Sequence, residues 1–318
     1  MHEREPPAVW LAARSQQVLE TTLSAMREAL EDVDPDDERF ASVERSAWID
    51  GRASAAQADL VAREEPLEIR VNGAAIAVVM RTPGDDVDLV RGFLLSERII
   101  AEAGDVASLR HCTTVDTPEA EDNVMLARLR EHVEVDLAAL RRNLYASSSC
   151  GVCGKASIEA AMALPERARA VESGLRVAAS VLAALPERLR ASQQVFDRTG
   201  GLHAAGLFSC VGDRLVVRED VGRHNAVDKV IGWAAAAGVA LDACVLMVSG
   251  RVSFEIVQKS LAVGVPIVAA VSAPTSLAVE LARESGMTLV GFVREGRLCV
   301  YAGEHRLGEQ PAPAPPRP

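Results

Sequence analysis

The stretch that decides the fold is "ACVLMVSGRVSFEIVQKSLAVGVPIVAAVS", residues 243–272. Two short apolar runs flank a segment whose apolar residues recur at helical spacing, so the pattern predicts strand, helix and strand. Strands that are apolar on both faces are typical of a parallel sheet that helices cover. The stretch therefore predicts an α/β protein.

The same alternation continues on both sides of this stretch. Strands are predicted at 206–211, 214–219, 287–293 and 297–302, and helices at 224–238 and 274–286. Further upstream, "SVLAALPERLRASQQVF" predicts a helix that Pro186 interrupts, because proline lacks the N–H that an interior helical position needs. The fold class is α/β, with a mixed sheet covered by helices.

A smaller β-containing part precedes this region. "PLEIRVNGAAIAVVMRT" alternates apolar and polar residues across Asn72-Gly73, a dipeptide that favours a hairpin turn. "DDVDLVRGFLLSERII" then predicts a helix capped by Asp85 or Asp86. Two more strands are expected near 107–115 and 122–130.

Composition divides the chain into four segments. Residues 1–60 carry 13 acids against 6 bases and predict an acidic extension, a loose helix followed by a solvated linker. Residues 61–145 form the β-rich part and 146–303 the α/β domain that carries the site. The Pro-rich end, 304–318, predicts a disordered tail.

Net charge and apolar patterning exclude several classes of function. The net charge of -11 and the absence of a basic face argue against nucleic acid as a partner. No apolar run reaches the roughly 20 residues of a membrane span. No export signal is recognisable at the N-terminus, so we expect a cytoplasmic protein.

Three predicted strand-to-helix corners share a pattern that suits an anionic ligand. They lie at 217–225, 248–255 and 271–276, beyond the carboxyl ends of strands. Free N–H groups at helix starts attract anions, and Arg223, Lys229 and Arg251 could add positive charge. An ordinary capped turn is the alternative for each corner taken alone. We therefore predict that Arg223 and Arg251 bind a ligand.

The segment "SSSCGVCGKASIE", residues 147–159, carries the chemistry. Cys150 and Cys153 precede a predicted helix and Lys155, and both features favour the reactive thiolate. A zinc site would need a second ligand pair, so no metal is predicted. A thioredoxin-like dithiol oxidoreductase remains open. A mobile, glycine-lined pair fits a carrier of a transferable sulfur atom better.

With these motifs in order, the chain resembles the FdhD family of formate dehydrogenase accessory proteins. The motifs span roughly residues 61–302 and include "SSSCGVCGKASIE", "REDVGRHNAVDKVIG", "SGRVSFEIVQK" and "VSAPTSLAVELA". The resemblance implies a cytidine deaminase-like fold and a homodimer. It also implies a sulfurtransferase of the persulfide-carrier type.

In that family the first cysteine of the CxxC pair bears the sulfur, so the resemblance assigns this role to Cys150, with Cys153 as its partner. It implies a cysteine desulfurase as donor, the bis-molybdopterin guanine dinucleotide molybdenum cofactor as acceptor, and formate dehydrogenase as client. A chaperone that binds the cofactor without sulfur chemistry remains a second alternative.

The resemblance places the cofactor contact in "FVREGR". Its residues are Phe292, Val293, Arg294, Glu295, Gly296 and Arg297. The arginines could face phosphates and Phe292 could stack on a flat ring. The alternative is that this sequence only forms a β-hairpin with Glu295-Gly296 at its turn and binds no cofactor. His203 and His224 are interpreted as structural.

Overall fold

The structure, a computed structural model, describes residues 37–114, 120, 122–136 and 173–308. An arm of two paired strands, β1 (Phe40–Arg45) and β4 (Gln57–Ala62), carries a short hairpin of β2 (Trp48–Ile49) and β3 (Arg52–Ala53). These strands correct the linker predicted for this part of residues 1–60. Each of these strands has six residues or fewer, too few for an alternation of apolar and polar residues to be recognised in the sequence.

A four-stranded sheet forms the predicted β-rich part. Its strands are β5 (Glu65–Val71), β6 (Ala74–Arg81), β7 (Val106–His111) and β8 (Val124–Leu129), in the order β6-β5-β8-β7. The predicted turn is confirmed, since Asn72 and Gly73 have φ angles of 49° and 84°. Helix α1 (Asp86–Ser96) follows β6. Asp85 occupies its N-cap position, but its side chain makes no capping hydrogen bond and pairs with Arg218 instead.

A six-stranded mixed sheet confirms the α/β prediction. Its strands are β9 (His203–Phe208), β10 (Arg214–Asp220), β11 (Val245–Val248), β12 (Ile267–Ala270), β13 (Thr288–Arg294) and β14 (Arg297–Ala302). They are ordered β10-β9-β11-β12-β13-β14, and β11, β12 and β13 are parallel. The cytidine deaminase-like topology stays a prediction.

Helices cover both faces of this sheet. The helices α2 (Ala179–Arg190) and α3 (Gln194–Thr199) precede β9, and α4 (Arg223–Ala237), α5 (Phe254–Ala262) and α6 (Ser276–Glu284) alternate with the later strands. Apolar residues of α4, α5 and α6 pack on one face, and those of α2 pack on the other. Among the described residues, no helix is long and apolar enough to cross a membrane.

Two boundary predictions were wrong. Pro186 lies inside α2, which continues to Arg190. The buried Leu182, Leu185 and Leu189 hold that helix on the sheet, and we attribute its continuity to this packing. At the C-terminal end, the chain stays packed to residue 308 instead of leaving the fold at 304: Arg306 is buried and Leu307 bridges Val177.

The two sheets are joined through a close crossing of α1 and α4. A Cβ atom on Gly92 would lie 1.8 Å from the Asp228 carbonyl oxygen, and one on Gly232 would lie 1.9 Å from the Asp88 carbonyl oxygen. Helix backbones can approach this closely only where both contact positions lack a side chain. The two glycines therefore set the distance between the helices.

Replacing either glycine with alanine should force α1 and α4 apart. We expect Gly92→Ala or Gly232→Ala to lower the free energy of unfolding by about 3 kcal/mol, the upper part of the range for overpacking. Gly174→Ala is the matched control, because a Cβ there meets nothing within 4 Å. Urea unfolding of the three variants measures the difference. Equal stability of all three would contradict the crossing.

A buried charge cluster fastens α1, α4 and α5 beside this crossing. Lys259 Nζ lies 2.9 Å from Asp228 Oδ2 and 2.9 Å from Glu97 Oε1, and it donates to Ser96 Oγ at 2.9 Å. Burial alone would lower the pKa of Lys259, but the charges of Asp228 and Glu97 outweigh burial and raise that pKa. The ammonium group therefore stays charged inside the protein.

Removing only the Lys259 ammonium group should leave the buried Asp228 carboxylate without its counter-charge. We expect Lys259→Met to lower the free energy of unfolding by about 3–5 kcal/mol, the cost of breaking one side of a buried ion pair. The double variant Lys259→Met/Asp228→Leu should recover most of that loss, because the fully buried carboxylate is also gone and the remaining acid, Glu97, is partly exposed to water. Chemical unfolding measures the free energy of unfolding of both variants. A double variant that is less stable than the single one would refute the buried ion pair as the source of the loss.

Candidate functional site

The predicted corners meet at one edge of the six-stranded sheet. Strand β9 is antiparallel to both β10 and β11, so β10, β11, β12 and β13 all end at the same edge. Helices α4, α5 and α6 begin there, and β9 starts there with His203. The structure thus brings together the three corners that the sequence placed beyond the carboxyl ends of strands.

The first corner is held rigidly by a buried aspartate. Asp220 has no exposed surface; its Oδ1 accepts hydrogen bonds from the Gly222 N–H (2.8 Å) and Asn225 Nδ2 (2.9 Å). Its Oδ2 lies 2.9 Å from Lys229 Nζ and accepts the Thr82 N–H at 3.2 Å. Lys229, predicted as a source of charge for a ligand, therefore serves the corner's own aspartate.

Arg223, Arg251 and His203 gather around Gly250. A Cβ atom on Gly250 would lie 3.2 Å from His203 Nδ1 and 4.0 Å from Arg223 Cδ. Burial lowers the pKa of His203, and the positive charges of Arg223 and Arg251 lower it further against the pull of Asp220. His203 is therefore uncharged at neutral pH, and the arginines carry the permanent charge.

Donor groups at this edge are left without protein acceptors. Arg223 Nε is buried and has no hydrogen-bond partner among the described residues. Neither α4 nor α5 has a side-chain cap at its N-terminus, where Gly222 and Ser253 stand. Unsatisfied N–H groups and arginines at helix starts form an environment that stabilises an anion.

His224 has a carboxylate partner that the sequence reasoning missed. Its Nε2 lies 2.9 Å from Glu255 Oε2 and 3.1 Å from Ser253 Oγ. Glu255 is buried in the first turn of α5. The nearest sequence signal was the position of "SFE" in the second corner, but periodicity could not show that His224 and Glu255, which belong to different corners, lie in contact.

The segment "FVREGR" forms the end of the β13–β14 hairpin. Glu295 and Gly296 have φ angles of 51° and 73° and connect the paired Arg294 and Arg297. This is the hairpin that the sequence left open as an alternative. Its role in cofactor contact stays a prediction.

Side chains of this hairpin differ in what they offer a ligand. The Phe292 side chain is 37% exposed. Its φ of 52° is a strained backbone angle for a bulky residue. Its N–H donates to the carbonyl oxygen of Ser272, in the third corner, at 3.1 Å. Val293 is buried among apolar residues. Arg294 and Arg297 are exposed, and Arg297 pairs with Glu295 in solvent. A ligand at the edge could reach Phe292 and the two arginines, whereas the Val293 side chain faces the core.

Cys150, Cys153 and Lys155 lie outside the described residues. The site described here is therefore the arginine-bearing edge of the sheet: Arg223, Arg251, His203 and His224, flanked by Phe292. We refer to it as the arginine edge.

If the arginine edge binds anions, Arg223 should contribute most through its unpartnered Nε. We expect Arg223→Met to weaken pyrophosphate binding about tenfold, the loss of roughly one charge-assisted hydrogen bond. Titration calorimetry measures the affinity. The matched control is Arg110→Met, which removes an exposed arginine from β7 in the other sheet. An equal loss in both variants would place the binding elsewhere.

Taken together, the fold and the edge define a mixed α/β protein that gathers arginines and uncapped helix starts at one edge of its larger sheet. The family model of the FdhD/NarQ family matches residues 62–308, and the chain belongs to that family. The match covers both sheets and the whole arginine edge.

Curated relatives match over nearly their full length. A protein of Streptomyces avermitilis named sulfur carrier protein FdhD is 51% identical over 268 residues, which are 83% of this chain and 94% of the relative. One of Mycolicibacterium paratuberculosis with the same name is 53% identical over 263 residues, 81% of this chain and 95% of the relative.

A solved structure has the same fold. It is described as a putative formate dehydrogenase accessory protein from Desulfotalea psychrophila, and it aligns with a TM-score of 0.65 over 84% of this chain and 99% of that chain. The identity is 22%, so this likeness concerns the fold alone.

Proposed function

We propose that this protein is a sulfur carrier required for formate dehydrogenase activity. It accepts persulfide sulfur from a cysteine desulfurase on Cys150 and passes it to the bis-molybdopterin guanine dinucleotide molybdenum cofactor before that cofactor is inserted. The observation that carries the proposal is the match, at 51% and 53% identity, to relatives named sulfur carrier proteins. We further propose that it acts in the cytoplasm as a homodimer.

The loading step is a thiol exchange on sulfane sulfur. The Cys150 thiolate attacks the terminal sulfur of the desulfurase persulfide, a new sulfur–sulfur bond forms, and the desulfurase cysteine leaves as a thiolate. No net oxidation occurs, because one persulfide replaces another. In the delivery step Cys153 attacks Cys150, forms a disulfide and releases the sulfur as sulfide; a thiol reductant must then restore the pair.

The arginine edge supports the choice of acceptor. A pterin dinucleotide carries several phosphate groups and flat rings, and it is the substrate of the delivery step. Arg223 and Arg251 would hold phosphates beside the uncapped starts of α4 and α5, and Phe292 would lie against a ring. The chemistry of these donors fits a large anionic ligand.

The described cysteines are poorer candidates for sulfur loading. Cys112 and Cys244 are buried, and Cys210 is partly buried. Burial raises the pKa of Cys244 to about 11, so its sulfur stays a thiol at neutral pH. Cys299 is exposed and therefore serves as the control for non-specific loading.

Mass spectrometry after incubation with desulfurase and cysteine tests the proposal. We expect the peptide that contains Cys150 to gain about one sulfur mass, and we expect Cys150→Ser to abolish both the gain and the activation of formate dehydrogenase. Cys299→Ser should retain both. Full activation by Cys150→Ser would favour the chaperone. Disulfide reduction by the purified protein without desulfurase would favour a dithiol oxidoreductase.

A further inference from the structure

His203 lies where the first and second corners of the arginine edge meet. It is the first residue of β9, and its cross-strand partner in β10 is Asp220, so the two side chains share one face of the sheet. On the side of β11, the ring lies beside the backbone of Gly250, because a Cβ atom there would be 3.2 Å from His203 Nδ1. Charges in both corners therefore act on this histidine.

The arginines beside His203 have no counter-charge of their own. Among the described residues no carboxylate pairs with Arg223 or Arg251, and Arg223 Nε is buried without a hydrogen-bond partner. Asp220, which faces His203 across the strands, is already paired with Lys229 at 2.9 Å. The protein itself thus leaves an excess of positive charge at this edge.

This excess of charge, added to burial, keeps His203 neutral. Burial is the larger of the two effects that lower its pKa, and the charges of Arg223 and Arg251 are the other. Neither ring nitrogen forms a hydrogen bond with a described residue. A neutral imidazole has one N–H donor and one lone pair, whereas an imidazolium has two donors. A negative charge placed beside the arginines would offset them and favour the imidazolium.

We propose that His203 takes up a proton from solvent when Arg223 and Arg251 bind an anion, and that it then serves as a further cationic contact for that anion. The ligand class is a phosphate or diphosphate group with more than one negative charge. The inference rests on the proposed function, because the phosphates of the acceptor are the anions which that function places at this edge. Binding of the acceptor is then coupled to the uptake of a proton.

The direction of the pH dependence follows from this coupling. Because the bound anion raises the pKa of His203, the affinity should be full below the pKa of the free protein and should fall as the pH rises through that of the complex. The other titratable groups near His203 are Asp220, paired with Lys229, and His224, paired with Glu255. Histidine is the side chain whose ordinary pKa lies in this range, so His224 must be separated from His203 by mutation.

Histidine NMR titrations of the intact protein, with and without sulfate, measure the coupling directly. Sulfate keeps its double negative charge across the range in which histidine titrates, so a proton taken up on binding goes to the protein. We expect sulfate to raise the pKa of His203 and to leave the titration of His132 unchanged. His132 is the matched control: it pairs with Asp105 at 3.0 Å and lines a cavity with Ala262, at the end of α5 away from the arginine edge.

The sulfate affinity supplies a second readout. We expect the wild type to bind sulfate about fivefold more tightly at about pH 6 than at about pH 8, because part of one charge-assisted hydrogen bond is gained over this range. His203→Gln should remove the pH dependence, whereas His224→Gln and the control His132→Gln should keep it. Calorimetry in two buffers of different ionisation enthalpy should show proton uptake by the wild type and none by His203→Gln.

The free protein offers an independent check. Arg251→Gln removes one of the charges that lower the pKa of His203, so this pKa should rise in the variant without any ligand. Arg110→Gln, which removes an exposed arginine from β7 in the other sheet, should leave it unchanged.

Three results would overturn the inference. They are a His203 titration that sulfate does not move, a pH dependence that His224→Gln removes and His203→Gln keeps, and an absence of sulfate binding at both pH values. The proposed function is tested separately, by sulfur loading on Cys150. Loading and activation of formate dehydrogenase together with an unmoved His203 titration would refute the proton coupling alone.

Discussion

The contact between the backbones of α1 and α4 is the constraint on which the rest of the structure depends. Gly92 and Gly232 let the two helices approach until carbonyl oxygens occupy the space of side chains. At this distance, groups from the β-rich part bond to the larger sheet and its helix. The Thr82 N–H, just after β6, donates to Asp220 Oδ2 in β10, and the Ser96 hydroxyl, at the end of α1, donates to Asp228 Oδ1 in α4.

This dependence extends to the arginine edge. The first corner is tied to the smaller sheet, because Asn225 Nδ2 donates to the Met80 carbonyl oxygen at 2.7 Å and Lys229 Nζ donates to that of Thr82 at 2.9 Å. Arg223, at the start of α4, is therefore positioned by elements from both parts of the chain. A change at the crossing would alter the site as well as the stability of the fold.

Lysine and arginine have separate tasks in this protein. The two lysines of the described residues, Lys229 and Lys259, are buried and satisfy internal carboxylates, for which a compact ammonium group is suited. Arg223 and Arg251 stand at the surface edge, where a planar guanidinium can bind phosphate. These two lysines thus occupy structural positions, and Lys229 does not serve the ligand site that the sequence suggested for it.

The sequence by itself determined the strands and helices of the larger sheet, the Asn72-Gly73 turn, and the three strand-to-helix corners. These features follow from local periodicity and from turn preferences. That the corners meet at one edge was decided by the pairing of β9 with β10 and β11. Only the tertiary structure decided the glycine crossing, the Glu255–His224 pair, the continuity of α2 through Pro186 and the burial of Val293. Each of these depends on the distance between residues remote in the chain, and that distance is set by packing, which one-dimensional patterns do not encode.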